Sequence, residues 1–305
     1  MKTLIIGSRR SQLAQIQSHL IRRQLLDAWP DLQIKIELID TQGDLNRKDP
    51  LPAIGGKGLF TIELEEALRR RKIDLAVHSL KDLPIEDSAG LTVVAISQRA
   101  PTADVFVSRV ASRIEDLPQG AVVGTSSLRR AAQVLALRPD LSIKDIRGNV
   151  DTRLRKLDDP VLGYDAILLA QAGLRRLGYQ LDYAHPIAES TFLPAPGQGA
   201  LAVQGRADDP DTTAYLQILD DADTRAAVTA ERAFLGGLGG GCSLPVGALA
   251  TVNDGQLFLK AMVADPGGKR VITVAGESTR DRAEELGQQL AEQCLDQGAE
   301  ALLHI

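Results

Sequence analysis

Residues 193–199 read LPAPGQG, and two prolines with two glycines end any helical or strand period there. An earlier interruption falls at residues 98–104, where Ala100-Pro101 stops a run of alternating strand and helix signals. Between the two breaks the alternation starts afresh. A chain that leaves one α/β block near residue 100 and returns near 198 builds two lobes, joined by a pair of hinge strands and separated by a cleft. Two stretches far apart in sequence are thereby expected to share one lobe.

The segments on either side fit that plan. Residues 3–6 form a short apolar strand, and Ser11 can cap a helix carrying Leu13, Ile16, Leu20 and Ile21. Residues 33–39 alternate, with Ile34, Ile36 and Leu38 on one face. A loop with Pro50, Pro52 and Gly55-Gly56-Lys57-Gly58 precedes a helix carrying Phe60, Leu64 and Leu68. Strands follow at Asp74–His78 and Leu91–Ile96. The middle block offers strands at 105–107, 122–124, 143–146 and 166–170, with helices over about 127–137 and 150–157. Such alternation predicts doubly wound, mostly parallel sheets with helices on both faces. After Asp220 the pattern becomes a helix (223–235), a glycine turn, strand signals near 246–251, 257–263 and 270–274, and a helix over 281–296. The expected division is 1–99 plus 198–219 as a first α/β lobe, 100–197 as a second, and 220–305 as a small α+β domain.

Composition narrows the function classes. The 305 residues are 44% hydrophobic and 25% charged, ordinary for a soluble globular protein. A net charge of −5 and only 3% aromatics argue against a nucleic-acid partner. The opening MKTLIIGSRR has too short an apolar run for a signal peptide, and no stretch is long enough to span a bilayer. The expected location is the cytoplasm. The four histidines show no metal spacing, so no metal is expected. The loop at 55–58 lacks the residues of a nucleotide P-loop, and no G-x-S-x-G elbow occurs.

Against this acidic background, cations gather at predicted strand ends. Gly124-Thr125-Ser126-Ser127-Leu128-Arg129-Arg130 follows a strand and opens a helix, where free N–H groups, hydroxyls and guanidinium groups make an anion site. The ordinary alternative is a capped helix with its arginines in water, yet two arginines in a first turn oppose the helix dipole. Arg147, with Arg153 on the next helix, leaves another strand end. Arg175-Arg176 and Ser8-Arg9-Arg10-Ser11 repeat the pattern. In open α/β sheets ligands bind beyond the carboxyl ends of the strands, so these positions suit a ligand with several carboxylates or phosphates. His78-Ser79-Leu80-Lys81-Asp82-Leu83-Pro84 leaves a further strand end, where Asp82 is either a salt-bridged loop residue or a proton-handling carboxylate. Cys242 lies in GGLGGGCSLP (236–245), with no periodic face around it, and stays open between packing and chemistry. Cys294 instead shares a helical stripe with Leu286 and Leu290.

The segments GGKGLF (55–60), DLAVHSLKDLP (74–84), VGTSSLRRAAQ (123–133), RGNVDTRL (147–154), LAQAGLRRLG (169–178), PAPGQGA (194–200) and ERAFLGGLGGGCSLP (231–245) resemble those of the porphobilinogen deaminase family, in its order and over the whole length. The resemblance implies two lobes like those of periplasmic binding proteins and a third domain bearing the cofactor. It implies hydroxymethylbilane synthase activity, a transferase reaction in porphyrin and heme biosynthesis. Four porphobilinogen molecules are deaminated and condensed head to tail on a covalent dipyrromethane primer, and the linear tetrapyrrole is then released by hydrolysis. On this resemblance Cys242 holds the primer through a thioether and Asp82 is the catalytic carboxylate. Arg9, Ser11, Ser79, Lys81, Thr125, Ser127, Arg129, Arg130, Arg147, Arg153 and Arg176 match positions that bind pyrrole acetate and propionate groups. Lys57 and Phe60 match a lid, Gln198 a hinge-region residue, and the expected state is a monomer. Gln204 stands where many family members carry glutamate. The competing class, a non-catalytic anion-binding protein, explains the arginines but neither Cys242 nor Asp82.

Overall fold

The computed structural model describes residues 2–45, 60–86, 88–240 and 244–303. Its strands in chain order are β1 (Thr3–Arg9), β2 (Gln33–Ile39), β3 (Leu75–Ser79), β4 (Leu91–Ile96), β5 (Asp104–Val107), β6 (Val122–Gly124), β7 (Ser142–Lys144), β8 (Ala166–Ala170), β9 (Ala184–Pro186), β10 (Leu201–Arg206), β11 (Val246–Asn253), β12 (Gln256–Ala264) and β13 (Val271–Thr279). The chain divides into two compact units, Met1–Ala100 with Gly199–Arg225, and Pro101–Gln198 with Ala226–Ile305.

The first unit is built on a five-stranded sheet of order β2-β1-β3-β10-β4. Side-chain alternation sorts its residues to two faces. Leu4 and Ile6 of β1 and Leu75 and Val77 of β3 pack with Ile21 and Leu25 of helix Gln12–Ala28. Ala76 packs on the other face with Leu64 and Leu68 of helix Ile62–Arg69. Both faces are thereby covered, as a doubly wound sheet requires. The second unit repeats this plan in a sheet of order β7-β6-β8-β5-β9. Ala166 and Leu168 of β8 enter one core, Ile167 and Leu169 the other.

The sheets are less parallel than the alternation predicts. β1 runs parallel to β2 and β3, and β6 parallel to β7 and β8. β10, however, is antiparallel to β3 and β4, and β5 is antiparallel to β8 and β9. These are the strands that follow the two chain breaks. Neither is preceded by a helical crossover within its own unit, and without one a strand is free to join its neighbours antiparallel. Sequence periodicity also left β9, β10 and the helices Gln171–Arg176 and Pro210–Leu216 unrecognised.

The C-terminal part is an antiparallel sheet β11-β12-β13 covered by helices Ala222–Gly237 and Ala283–Asp296. Asp254 and Gly255 join β11 to β12 with φ of 50° and 78°, the two left-handed residues of a type I′ hairpin turn. Phe234, Leu257, Leu259, Leu286, Leu290 and Cys294 share its core. Cys294 is thus packing, as its stripe predicts, and burial pushes its thiol up to about 11. Ala132, Leu193, Met262 and Ala264 form a smaller apolar cluster that links β12 to helix Leu128–Leu137.

The two covering helices meet at Gly287. A Cβ there would collide with the carbonyl oxygen of Ala230 and lie 2.7 Å from the Cβ of Ala233. Alanine is the better helix former by about 1 kcal/mol, but overpacking costs about 1–3 kcal/mol. Gly287→Ala is therefore expected to lower the melting temperature, measured by thermal denaturation. An unchanged or higher value would show that the helices do not pack through this residue.

Candidate functional site

In the first unit the parallel pairing of β1 with β3 brings their carboxyl ends to one sheet edge. β1 ends at Arg9, whose guanidinium lies over the Phe60 ring, 4.1 Å from its centroid. Such stacking suits a planar cation. Ser11 caps helix Gln12–Ala28, its Oγ accepting the Ala14 N–H at 3.4 Å. β3 ends at Ser79, whose Oγ accepts a hydrogen bond from Gln17 Nε2 at 2.9 Å. A single 3₁₀ turn, Leu80–Asp82, follows. Leu80 is buried and plugs the turn into the core, which leaves Lys81 partly buried and Asp82 exposed. Among the described residues the Asp82 carboxylate makes no hydrogen bond or ion pair.

Beneath this turn lies a buried polar chain. His78 Nε2 is 3.1 Å from Gln204 Oε1, and Gln204 Nε2 donates to Glu65 Oε1 at 3.3 Å. Burial lowers the His78 pKa to about 4, so the ring is neutral near pH 7 and donates to the amide oxygen.

In the second unit β6, β7 and β8 are parallel and present their carboxyl ends on one edge. Beyond β6, Thr125 is buried and its Oγ1 accepts the Ser127 N–H at 3.1 Å. Ser127 caps helix Leu128–Leu137 by accepting the Arg130 N–H at 3.4 Å. Beyond β7, Arg147 lies in the turn before helix Val150–Leu157, and its carbonyl accepts from Lys156 Nζ at 3.0 Å. Arg153 on that helix donates from Nε to the Gly148 carbonyl at 2.8 Å. Gly148 has φ of 117°, which a side chain would disfavour. Beyond β8, Arg176 closes helix Gln171–Arg176, and burial lowers its pKa to about 10, so it remains charged at neutral pH.

Arg129 and Arg130 do not face water, the ordinary alternative for a helix-opening pair. They are 4% and 6% exposed and both bind the Asp104 carboxylate, which is fully buried. Asp104 Oδ2 accepts from Arg129 Nη1 at 2.7 Å, and Oδ1 from Arg130 Nη2 at 2.7 Å. Gln198 Nε2 adds a bond to Oδ1 at 2.9 Å and one to the Thr102 carbonyl at 2.6 Å. Burial alone would raise the Asp104 pKa. The two guanidinium groups reverse that and hold its carboxyl well below the usual range. Asp104 thus answers the unfavourable dipole placement of the two arginines.

Sequence reasoning missed Asp104. Its one signal was an acid opening the otherwise apolar strand DVFV. It also gave Gln133 no role. That side chain pairs with the Leu193 peptide on both sides, donating to its carbonyl at 3.0 Å and accepting its N–H at 2.7 Å. Lys57 and Cys242 lie outside the described residues. What the described groups can do chemically is bind several anions at each of two sheet edges, with the exposed Asp82 carboxylate at the first. Among the described residues no group of three or more His, Cys, Asp or Glu could hold a metal, and no helix is long and apolar enough to cross a membrane.

Comparison with known proteins accounts for the whole chain. Residues 4–214 match the family model "Porphobilinogen deaminase, dipyromethane cofactor binding domain", and residues 225–296 match the model of the porphobilinogen deaminase C-terminal domain. The porphobilinogen deaminase of Roseiflexus sp. (strain RS-1) is 49% identical over 302 residues, covering 99% of both chains. Those of Desulforudis audaxviator and Chromobacterium violaceum are 48% and 46% identical, each covering 99% of this chain and 97% of theirs. Among solved structures, a methionine binding protein aligns with 70% of this chain and 88% of its own at 11% identity, with a TM-score of 0.42. That score is too low to carry weight, and the fold rests on the sheet orders themselves. Matches to both family models and near-half identity end to end establish that the chain belongs to the porphobilinogen deaminase family.

Proposed function

We propose that this chain acts as a hydroxymethylbilane synthase. It deaminates and condenses four porphobilinogen molecules on a dipyrromethane primer and releases the linear tetrapyrrole by hydrolysis. The observation that carries this reading is the end-to-end family match, which includes the domain named for the dipyrromethane cofactor. The finer assignments rest on the resemblance and on local geometry. Cys242 is the proposed thioether attachment point, within the domain formed by residues 220–305. The middle block, 100–197, is proposed as a separate domain, since it has its own sheet and its own two cores.

The donor set fits a group bearing acetate and propionate side chains. Arg129 is buried yet keeps N–H groups on Nε and Nη2 that no described residue accepts. An unpaired guanidinium edge fits a carboxylate. Arg147, Arg153 and Arg176, with Thr125 and Ser127, supply further proposed ligands in the second unit. Arg9, Lys81, Ser11 and Ser79 do so in the first. When bound, the primer supplies the pyrrole carbon that is extended.

Asp82 does the work at the reacting centre. Its turn projects an exposed carboxylate that no described residue neutralises. A carboxylate so placed accepts hydrogen bonds from pyrrole N–H groups, counters the positive charge that develops there as ammonia leaves, and moves protons. Gln17 donates to Ser79 Oγ, so the Ser79 hydroxyl hydrogen is available to a ligand carboxylate. Lid roles for Phe60 and Lys57 and a hinge role for Gln198 belong to the same proposal, as do monomeric state and cytoplasmic location. The net charge of −5 supports the absence of a nucleic-acid partner.

Intact-mass measurement of the purified protein tests the reading. It should exceed the sequence mass by two linked pyrrole units, and active protein of unmodified mass would sink the proposal. Cys242→Ser should show the sequence mass alone and no turnover. Asp82→Asn should keep the added mass yet lose about 100-fold or more in kcat, and near-normal product formation would remove Asp82 from the chemistry.

A further inference from the structure

The cluster around Asp104 is unbalanced in charge and in hydrogen bonding. It holds one carboxylate and two guanidinium groups, and Gln198 is uncharged, so one buried positive charge has no counterpart. No other carboxylate pairs with either arginine among the described residues.

The two arginines are used differently. Arg130 donates through all three of its nitrogens. Nε and Nη2 bind Asp104 Oδ1 at 3.2 and 2.7 Å, and Nη1 binds the Leu168 carbonyl at 3.0 Å. Arg129 donates through Nη1 alone, to Asp104 Oδ2 at 2.7 Å and the Leu193 carbonyl at 2.6 Å. A guanidinium has five N–H donors, so the Nε and Nη2 edge of Arg129 keeps its three. That edge forms the fork that matches the two oxygens of a carboxylate. Both acceptors of Nη1 are fixed. Asp104 is held by Arg130 and Gln198, and the Leu193 peptide by Gln133.

We propose that Asp104 is a positioning residue for the condensation, pinning Arg129 by Nη1 so that its Nε–Nη2 edge meets a pyrrole carboxylate. Arg130, which the resemblance groups with the ligand cations, instead neutralises Asp104 and locks it to β8. The buried positive charge left over is the one the ligand carboxylate balances. This rests on the function proposed above and assigns its parts within the second unit.

Three variants of the full chain test it: Asp104→Asn, Arg129→Met and Arg130→Met. Each is followed by melting temperature, intact mass and, where loaded, separate KM and kcat. Arg129→Met should stay within about 3 °C of the parent in melting temperature but lose the primer mass. Arg130→Met should melt about 5 °C or more lower yet retain the primer mass. Asp104→Asn, assayed below its melting temperature, should raise KM for porphobilinogen about tenfold with kcat within about threefold. Folded Arg130→Met that lacks the primer, as Arg129→Met does, would overturn the division of roles. Folded Asp104→Asn with unchanged KM would overturn the positioning role. Should Asp104→Asn not fold, the two arginine variants still decide. A parent protein without primer mass would instead be a failure of the function itself.

Discussion

The Asp104 carboxylate is fully buried and accepts four hydrogen bonds, two from Arg130 and one each from Arg129 and Gln198. A charge in that setting is tolerated only because it is paired and hydrogen-bonded. Leaving such a charge with no partner typically costs about 3–5 kcal/mol. The cluster therefore ties together three parts of the second unit: β5, where the chain enters, the helix Leu128–Leu137, and residues 193–198, where the chain leaves. Glu231 meets the same exit segment from the C-terminal domain, accepting the N–H of Gly197 and of Ala250 at 2.7 Å each. The first unit has a counterpart at the end of β10. Arg206 is buried and donates to Asp74, Asp209 and the Ile73 carbonyl, and Asp74 in turn accepts the Ile5 N–H. In each unit, then, a buried ion pair anchors the antiparallel strand that follows a chain break.

That strand direction bears on where chemistry can be placed. The parallel strands end on one edge of each sheet, and the residues just beyond them are freed from ladder hydrogen bonding. Short turns there project Lys81 and Asp82 after β3 and Arg147 after β7, while Thr125 and Ser127 follow β6. An acidic protein thus concentrates cations locally without a basic surface overall. Ligands with several carboxylates are drawn by such local charge, which a net charge of −5 does not reveal.

Legibility varied residue by residue. Ser11 was readable as a cap, because a cap bonds a backbone group three residues on. The stripe of Leu286, Leu290 and Cys294 was readable because a helix brings every fourth residue to one face. Arg129 and Arg130 were readable as out of place against the helix dipole, but not what compensates them. Their partner lies 25 and 26 positions upstream, on a strand whose antiparallel sense periodicity does not encode. Gln204 was readable only as a departure from the family pattern. Its task, accepting from a neutral His78 and donating to Glu65, becomes visible once β10 lies against β3 and beneath the first-turn face of helix Ile62–Arg69.

By itself the sequence determined the two breaks, the alternating elements between them, the Ser11 cap and the family to which these motifs point. All of these depend on residues within a few positions of one another or on motif order. Only the tertiary structure decided which strands run antiparallel, which histidine is kept neutral, and which arginine retains an open edge. Those outcomes depend on contacts such as Gln198 with Asp104, 94 residues apart, and on burial that strengthens each charge–charge contact.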